Sequence, residues 1–143
     1  PKLAESLTKI IGGKGSVIAW NKSFESGCNT EMGERYPQYA KFFEDVNSRM
    51  YDLMDIFKDG HYVHKKFHAS ASLKNVLPVL VPELSYKELG IQEGGTASVS
   101  WAKMINLDDQ KEKEEIYENL LKYCELDTLA MVKILDKVKE VIR

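Results

Sequence analysis

Tyr123 and Asp127 stand four positions apart near the end of the chain, in the stretch Tyr123-Cys124-Glu125-Leu126-Asp127. A carboxylate with a phenol one helical turn away can ligate a divalent cation and orient a water for attack on phosphorus. The acid also has an ordinary reading. If the helix breaks near Leu126, Asp127 caps the next one and accepts from the backbone N–H of Leu129 or Ala130. Its setting makes it conspicuous. Ile116, Leu120, Tyr123, Asp127, Ala130, Ile134, Val138 and Val141 recur every three or four residues, the spacing of one helix face. The other members of this seam suit a core. A carboxylate there costs several kcal/mol unless a partner or metal compensates it.

A second group, Asn21-Lys22-Ser23-Phe24-Glu25, follows the compact apolar run Val17-Ile18-Ala19-Trp20. The run reads as a buried strand, and the carboxyl end of a strand entering a helix is where open α/β sheets place their chemistry. Glu25 has its own plain alternative, complementing the positive end of the helix for under ~1 kcal/mol. A third group holds every histidine of the chain, His61, His64 and His68, beside Lys65, Lys66 and Lys74. Zinc needs a fourth ligand, and no cysteine or well-placed acid nearby supplies one. Contact with phosphates through Lys65, Lys66, Ser72 and Lys74 is the better functional reading of this loop. A solvated loop is the plain one.

Several stretches carry no chemistry. Gly12-Gly13-Lys14-Gly15-Ser16 has the look of a phosphate-binding loop, but its Lys is followed by Gly and it precedes a strand, so it reads as a linker. Asp108 to Glu115 alternate in sign at a helix start and form a solvated face. Asp52 and Asp55 read as end-of-helix residues, and Cys28 and Cys124 as small core residues. No serine, histidine and acid arrangement points to acyl transfer.

The elements that must position these groups follow from periodicity. Leu3, Leu7, Ile10 and Ile11 mark a short helix stopped by Gly12-Gly13. A helix starts near Ser23, with Glu25 in its first turn. After Pro37, the residues Tyr39, Phe42, Phe43, Val46 and Met50 give another, and Leu53, Ile56 and Phe57 read as a strand before the turn at Asp59-Gly60. Residues 61–71 are irregular. Ser72 caps a helix carrying Leu73, Val76, Leu77 and Leu80, restricted by Pro78 and Pro82. A short segment from Leu84 to Ile91 is terminated by Gly94-Gly95. Val99, Trp101, Ala102 and Ile105 mark a further helix, and a long one begins at about Gln110.

At 143 residues the chain is read as one domain. Its net charge of −2 is not the footprint of a whole-domain nucleic-acid binder, though it leaves room for a local basic groove. Two distant cysteines make no disulfide framework, which favours a reducing, cytoplasmic setting. No apolar run approaches a membrane span and no signal peptide is visible. The chain opens on Pro1, directly into a helical pattern, which suggests a piece of a longer protein.

Asn21-x-x-Phe24-Glu25 followed by Tyr123-x-x-x-Asp127 resembles the second and third motifs of the DEDD exonucleases, in their tyrosine-bearing branch. Ala19 to Glu25, Ser72 to Pro78, Leu84-Ser85-Tyr86 and Tyr123 to Met131 resemble, more closely, an uncharacterised bacterial domain-of-unknown-function family related to those nucleases. The resemblance runs from about residue 16 to residue 140. It implies an α/β, helix-rich, partial ribonuclease-H-like fold lacking the N-terminal strands of the sheet. It also implies hydrolysis of single-stranded DNA or RNA from a 3′ end with Mg²⁺ or Mn²⁺. Asp127 and Glu25 would be the metal ligands, Tyr123 would orient water, and Asn21 would complete the site. Two departures matter. The second-motif acid is glutamate where aspartate is usual, and no Asp-x-Glu first motif occurs in the chain. With half the carboxylates, metal should bind weakly and the isolated chain should be inactive. A truncated sheet should also present an open edge and favour self-association.

Overall fold

A computed structural model describes residues 1–142, which fall into two compact units, residues 1–63 and 64–142. The chain is a helix-rich α/β protein with a small parallel sheet of two strands.

In the first unit, α1 (Lys2–Ile10) closes where the Ile11 N–H donates to the Leu7 carbonyl at 2.8 Å. The glycine-rich segment after it is held by Arg49. Its guanidinium donates to the Gly12 and Gly15 carbonyls at 2.8 and 2.7 Å while pairing with Asp45 at 2.8 Å. The segment is thus a fastened linker. Then come β1 (Val17–Ala19), α2 (Lys22–Arg35), a 3₁₀ turn at Pro37–Tyr39, α3 (Ala40–Ser48), β2 (Met50–Asp52) and the short α4 (Asp55–Lys58). The strands pair in parallel with Val17 opposite Met50, Ile18 opposite Tyr51 and Ala19 opposite Asp52. A parallel pair needs a crossover, and α2 and α3 supply it, packed on each other. Gly33 allows their close approach, since a Cβ there would lie 3.3 Å from the Ala40 Cα.

Two of the elements expected in this unit are placed differently. Met50 belongs to β2 and not to the helix before it, and Leu53 to Phe57 form a turn and α4 instead of a strand. Helical spacing made Met50 look like one more turn of α3. Backbone pairing wins there: the Val17 N–H donates to the Arg49 carbonyl at 3.0 Å and the Leu53 N–H to the Ala19 carbonyl at 2.9 Å. Ala19, Val46 and Met50 are buried together, flanked by Ile11, Val17 and Phe42.

The second unit has a 3₁₀ turn at Lys65–Phe67, then α5 (Leu73–Leu80), α6 (Gly94–Ile105) and α7 (Gln110–Ile142). At 33 residues α7 is about 50 Å long, and both α5 and α6 pack against it. Val76 and Leu77 of α5, Met104 of α6, and Ala130, Ile134 and Val138 of α7 are buried. The apolar seam therefore holds along α7 as far as Val138, while Val141 is exposed. Gly94 and Gly95 open α6 rather than ending the segment before it. Glycine is tolerated in an N-terminal turn as well as after a C-terminus, so its presence marks a boundary without giving its direction. Among the described residues, no helix is long and apolar enough to cross a membrane.

Candidate functional site

Because α7 runs unbroken from Gln110 to Ile142, Asp127 is not the cap of a second helix. Tyr123 and Asp127 lie one turn apart on the same face. The partner that an acid on this seam requires is Tyr86, whose hydroxyl donates to Asp127 Oδ1. Tyr86 is buried, in the irregular segment between α5 and α6. Its ring centroid lies 6.0 Å from that of Tyr123, at an interplanar angle of 48°. The Tyr123 hydroxyl reaches the start of α6, where a Cβ on Gly94 would lie 3.6 Å from it. Sequence reasoning included Tyr86 in a motif but gave it no role. The seam acid was itself the signal that a polar partner had to exist.

The electrostatics keep protons on this cluster. Burial, reinforced by the negative charge of Asp127, pushes Tyr123 up to about 12. Burial and the hydrogen bond to Asp127 also raise Tyr86, and partial burial followed by the Asp127 charge raises Cys124. At neutral pH the two phenols and the thiol beside Asp127 are all three protonated. A hard Mg²⁺ or Mn²⁺ ion requires convergent charged oxygens. Protonated phenols and a thiol do not supply them, so this set by itself does not complete a two-ion centre. Among the described residues, no group of three or more His, Cys, Asp or Glu side chains is arranged to hold a metal.

Asn21 and Glu25 lie in the first unit. Asn21 follows β1 in the left-handed region, with φ at 71°, a conformation asparagine accepts more readily than most residues. That turn aims the Asn21 and Lys22 N–H groups at Asp52, whose oxygens accept from them at 3.0 and 2.7 Å. The Met54 N–H donates to Asp52 as well, at 3.1 Å. Lys22 folds back so that its Nζ donates to the Met50 carbonyl at 2.8 Å. Asn21 thus acts here through its backbone, with its side chain exposed. Glu25 is exposed in the first turn of α2, where a carboxylate complements the helix dipole.

Asp52 is the residue the sequence reading misplaced. It is the last residue of β2 and buried, not the end of a helix, and it joins both strand ends to the start of α2. Asp55 does begin a helix, α4. Cys28 and Cys124 are both exposed, not core residues, since each falls on the outward side of its helix.

In the histidine stretch, His64 Nδ1 accepts from the Lys66 N–H at 3.2 Å and its ring lies 5.6 Å from that of Phe67. His68 and Ala69 both take positive φ. Lys65 and Lys66 are exposed in the 3₁₀ turn, and Ser72 is exposed at the N-cap of α5, where it makes no side-chain capping bond. Lys74 Nζ lies 3.6 Å from Glu93 Oε1. Along the chain these four residues line the approach to α5 and its first turn.

The profile of a domain of unknown function, DUF2779, matches residues 1–72. The uncharacterized protein MG366 of Mycoplasma genitalium is 27% identical over 99% of this chain. Its homolog in Mycoplasma pneumoniae, also uncharacterized, is 28% identical over 89%. The chain spans only 23% and 21% of the lengths of these relatives. No solved structure matches it.

Proposed function

The chain belongs to the domain-of-unknown-function family DUF2779, and from that premise we propose that it is the C-terminal portion of a metal-dependent 3′–5′ exonuclease-like domain of ribonuclease-H-like descent. In this reading it contributes one wall of a site that hydrolyses phosphodiesters in single-stranded DNA or RNA. The remaining carboxylates come from elsewhere in a longer cytoplasmic protein. The observation that supports it is the placement of Tyr123 and Asp127 one turn apart on an unbroken helix, with Tyr86 bonded to the acid.

Within this wall, Tyr86 fixes the direction of the Asp127 carboxylate. Tyr123, protonated at neutral pH, can donate a hydrogen bond to a water or a phosphate oxygen. Glu25, in the first unit, stands in the sequence where the second motif has its acid. Lys65, Lys66, Ser72 and Lys74 supply backbone contacts to the nucleic acid. Mg²⁺ or Mn²⁺ would belong to the complete domain, and the isolated chain is inactive.

A second reading, a non-catalytic nucleic-acid-binding or protein-interaction module, draws on the same hydrogen bond. An acid already held by Tyr86 has a structural role that requires no metal. One assay separates the two. The isolated chain and the full-length Mycoplasma genitalium relative are incubated with 3′-labelled single-stranded DNA and RNA in the presence of Mn²⁺. The nuclease reading expects trimming by the full-length protein, abolished when the residue aligned with Asp127 is changed to alanine, and none by the isolated chain. Failure of the full-length protein to cut either substrate leaves the module. Cutting by the isolated chain, abolished by Asp127→Ala, refutes the half-site.

The two-stranded sheet also offers edges on which a second copy could pair. We therefore expect self-association, and a monomer mass by light scattering at every concentration tested would contradict it.

A further inference from the structure

The irregular segment after α5 and the middle of α7 enclose a groove of about 480 Å³ within the second unit. That volume falls in the range of roughly 300–1,000 Å³ typical of pockets that take ligands. Its apolar lining comes from Leu84 and Leu89 on one side and from Leu126 and Leu129 on the other. Leu129 is 38% exposed, so the groove opens to solvent. Leu126 and Leu129 lie one turn apart along α7 and set the axis of the groove.

The charged rim is one-sided. Glu83, Glu88 and Glu125 line the groove against a single cation, Lys122. None of the three carboxylates forms an ion pair among the described residues. Unneutralised acids around an apolar floor repel a phosphate backbone and favour a cation. The occupant must therefore bring apolar side chains and positive charge together.

We propose that this groove docks a basic amphipathic helix of a protein partner. Its apolar anchors, spaced i and i+4, enter between Leu84, Leu89, Leu126 and Leu129, and its Lys or Arg residues face Glu83, Glu88 and Glu125. Helices in grooves are recognised through such spaced anchors. Complementary charge sets register and speeds the encounter. The site does not depend on the nuclease reading, because no residue of the Tyr86, Tyr123 and Asp127 cluster lines it.

The test uses fluorescein-labelled helical peptides with one common leucine face and either lysine or glutamate on the polar face, titrated against the intact chain by anisotropy. The lysine peptide should saturate one site, and the glutamate peptide should not bind. Glu88→Lys with Glu125→Lys should weaken the lysine peptide about tenfold or more, since attraction at two positions becomes repulsion. Reversing two acids of the first unit, Glu31→Lys with Glu34→Lys, controls for general charge and should leave the affinity unchanged. Circular dichroism of each variant confirms that it is folded. Equal binding of both peptides, an equal loss in the control variant, or no binding at all overturns the proposal. So does a self-dimer that the Glu88→Lys, Glu125→Lys variant dissociates, because the occupant is then a second copy.

Discussion

The Tyr86 hydroxyl donates to Asp127 Oδ1 across a sequence separation of 41 residues. It thereby ties an otherwise irregular loop to the middle of the longest helix. A hydrogen bond to a charged group contributes about 1.5–3 kcal/mol, and Tyr86 is buried, so little water is present to replace it. Tyr86→Phe keeps the ring and removes only the donor. It should lower the stability of the second unit by about 1–2 kcal/mol, read as a shift of the urea midpoint at constant slope. An unchanged midpoint would show that the bond contributes nothing.

Asp52 answers three backbone N–H groups at once, from Asn21, Lys22 and Met54. Asp52→Ala removes the acceptor of all three, and a fully buried orphan costs about 1–3 kcal/mol, an upper bound for these part-buried groups. The loss should reach about 3 kcal/mol and release Asn21 from its left-handed turn. Amide exchange at Asn21 and Lys22 should then rise to the rate of an open loop. Persistent protection would mean that other contacts hold the turn.

The two phenols beside Asp127 should titrate late. Of the seven tyrosines, Tyr123 is pushed up to about 12 and Tyr86 is raised as well. A folded-state pKa above the unfolded value near 10 means that the unfolded chain loses its proton first. The stability this contributes is complete below pH ~10 and falls as pH rises through about 12. Phenolate absorbance followed against pH should show a late ionisation phase from these two residues, together with unfolding. Tyr86→Phe with Tyr123→Phe should remove that late phase from the absorbance profile.

Gly33 has little room for a side chain. A Cβ there meets the Ala40 Cα at 3.3 Å and the Phe43 Cβ at 4.0 Å. Gly33→Ala gains up to ~1 kcal/mol of helix propensity against this crowding, whereas a larger side chain gains about as much and meets far more crowding. Gly33→Leu should therefore cost about 2–3 kcal/mol, with Gly33→Ala much milder. Thermal melts of the two variants make the comparison, and equal melting temperatures would show that α2 and α3 can separate freely.

Legibility in the sequence followed the range of the interactions. The long helix α7 was readable because its seam repeats over many turns, and so was β1, a short apolar run between breakers. Strand β2 was not, because Met50 also fits the helical spacing of Phe43 and Val46, and only pairing with β1 distinguishes the two. Asp52 was invisible for the same reason. Its partners are main-chain amides about thirty residues away, which no side-chain pattern announces. Asp127 stood between these cases: its misfit on the seam demanded a partner, yet which polar group answered was decided by the path of an irregular loop.

The crossover through α2 and α3 has a kinetic consequence. Neighbouring strands usually form from local hairpins, but β1 and β2 run parallel and cannot meet until the helices between them have turned the chain back. The clasp at Asp52 is then expected to close last, on a frame already assembled. Refolding of the first unit should accordingly slow when Phe43 or Val46 is trimmed to alanine, since these buried α3 residues belong to the turning frame. Loss of the Asp52 carboxylate should instead quicken unfolding and leave the folding rate nearly as it was.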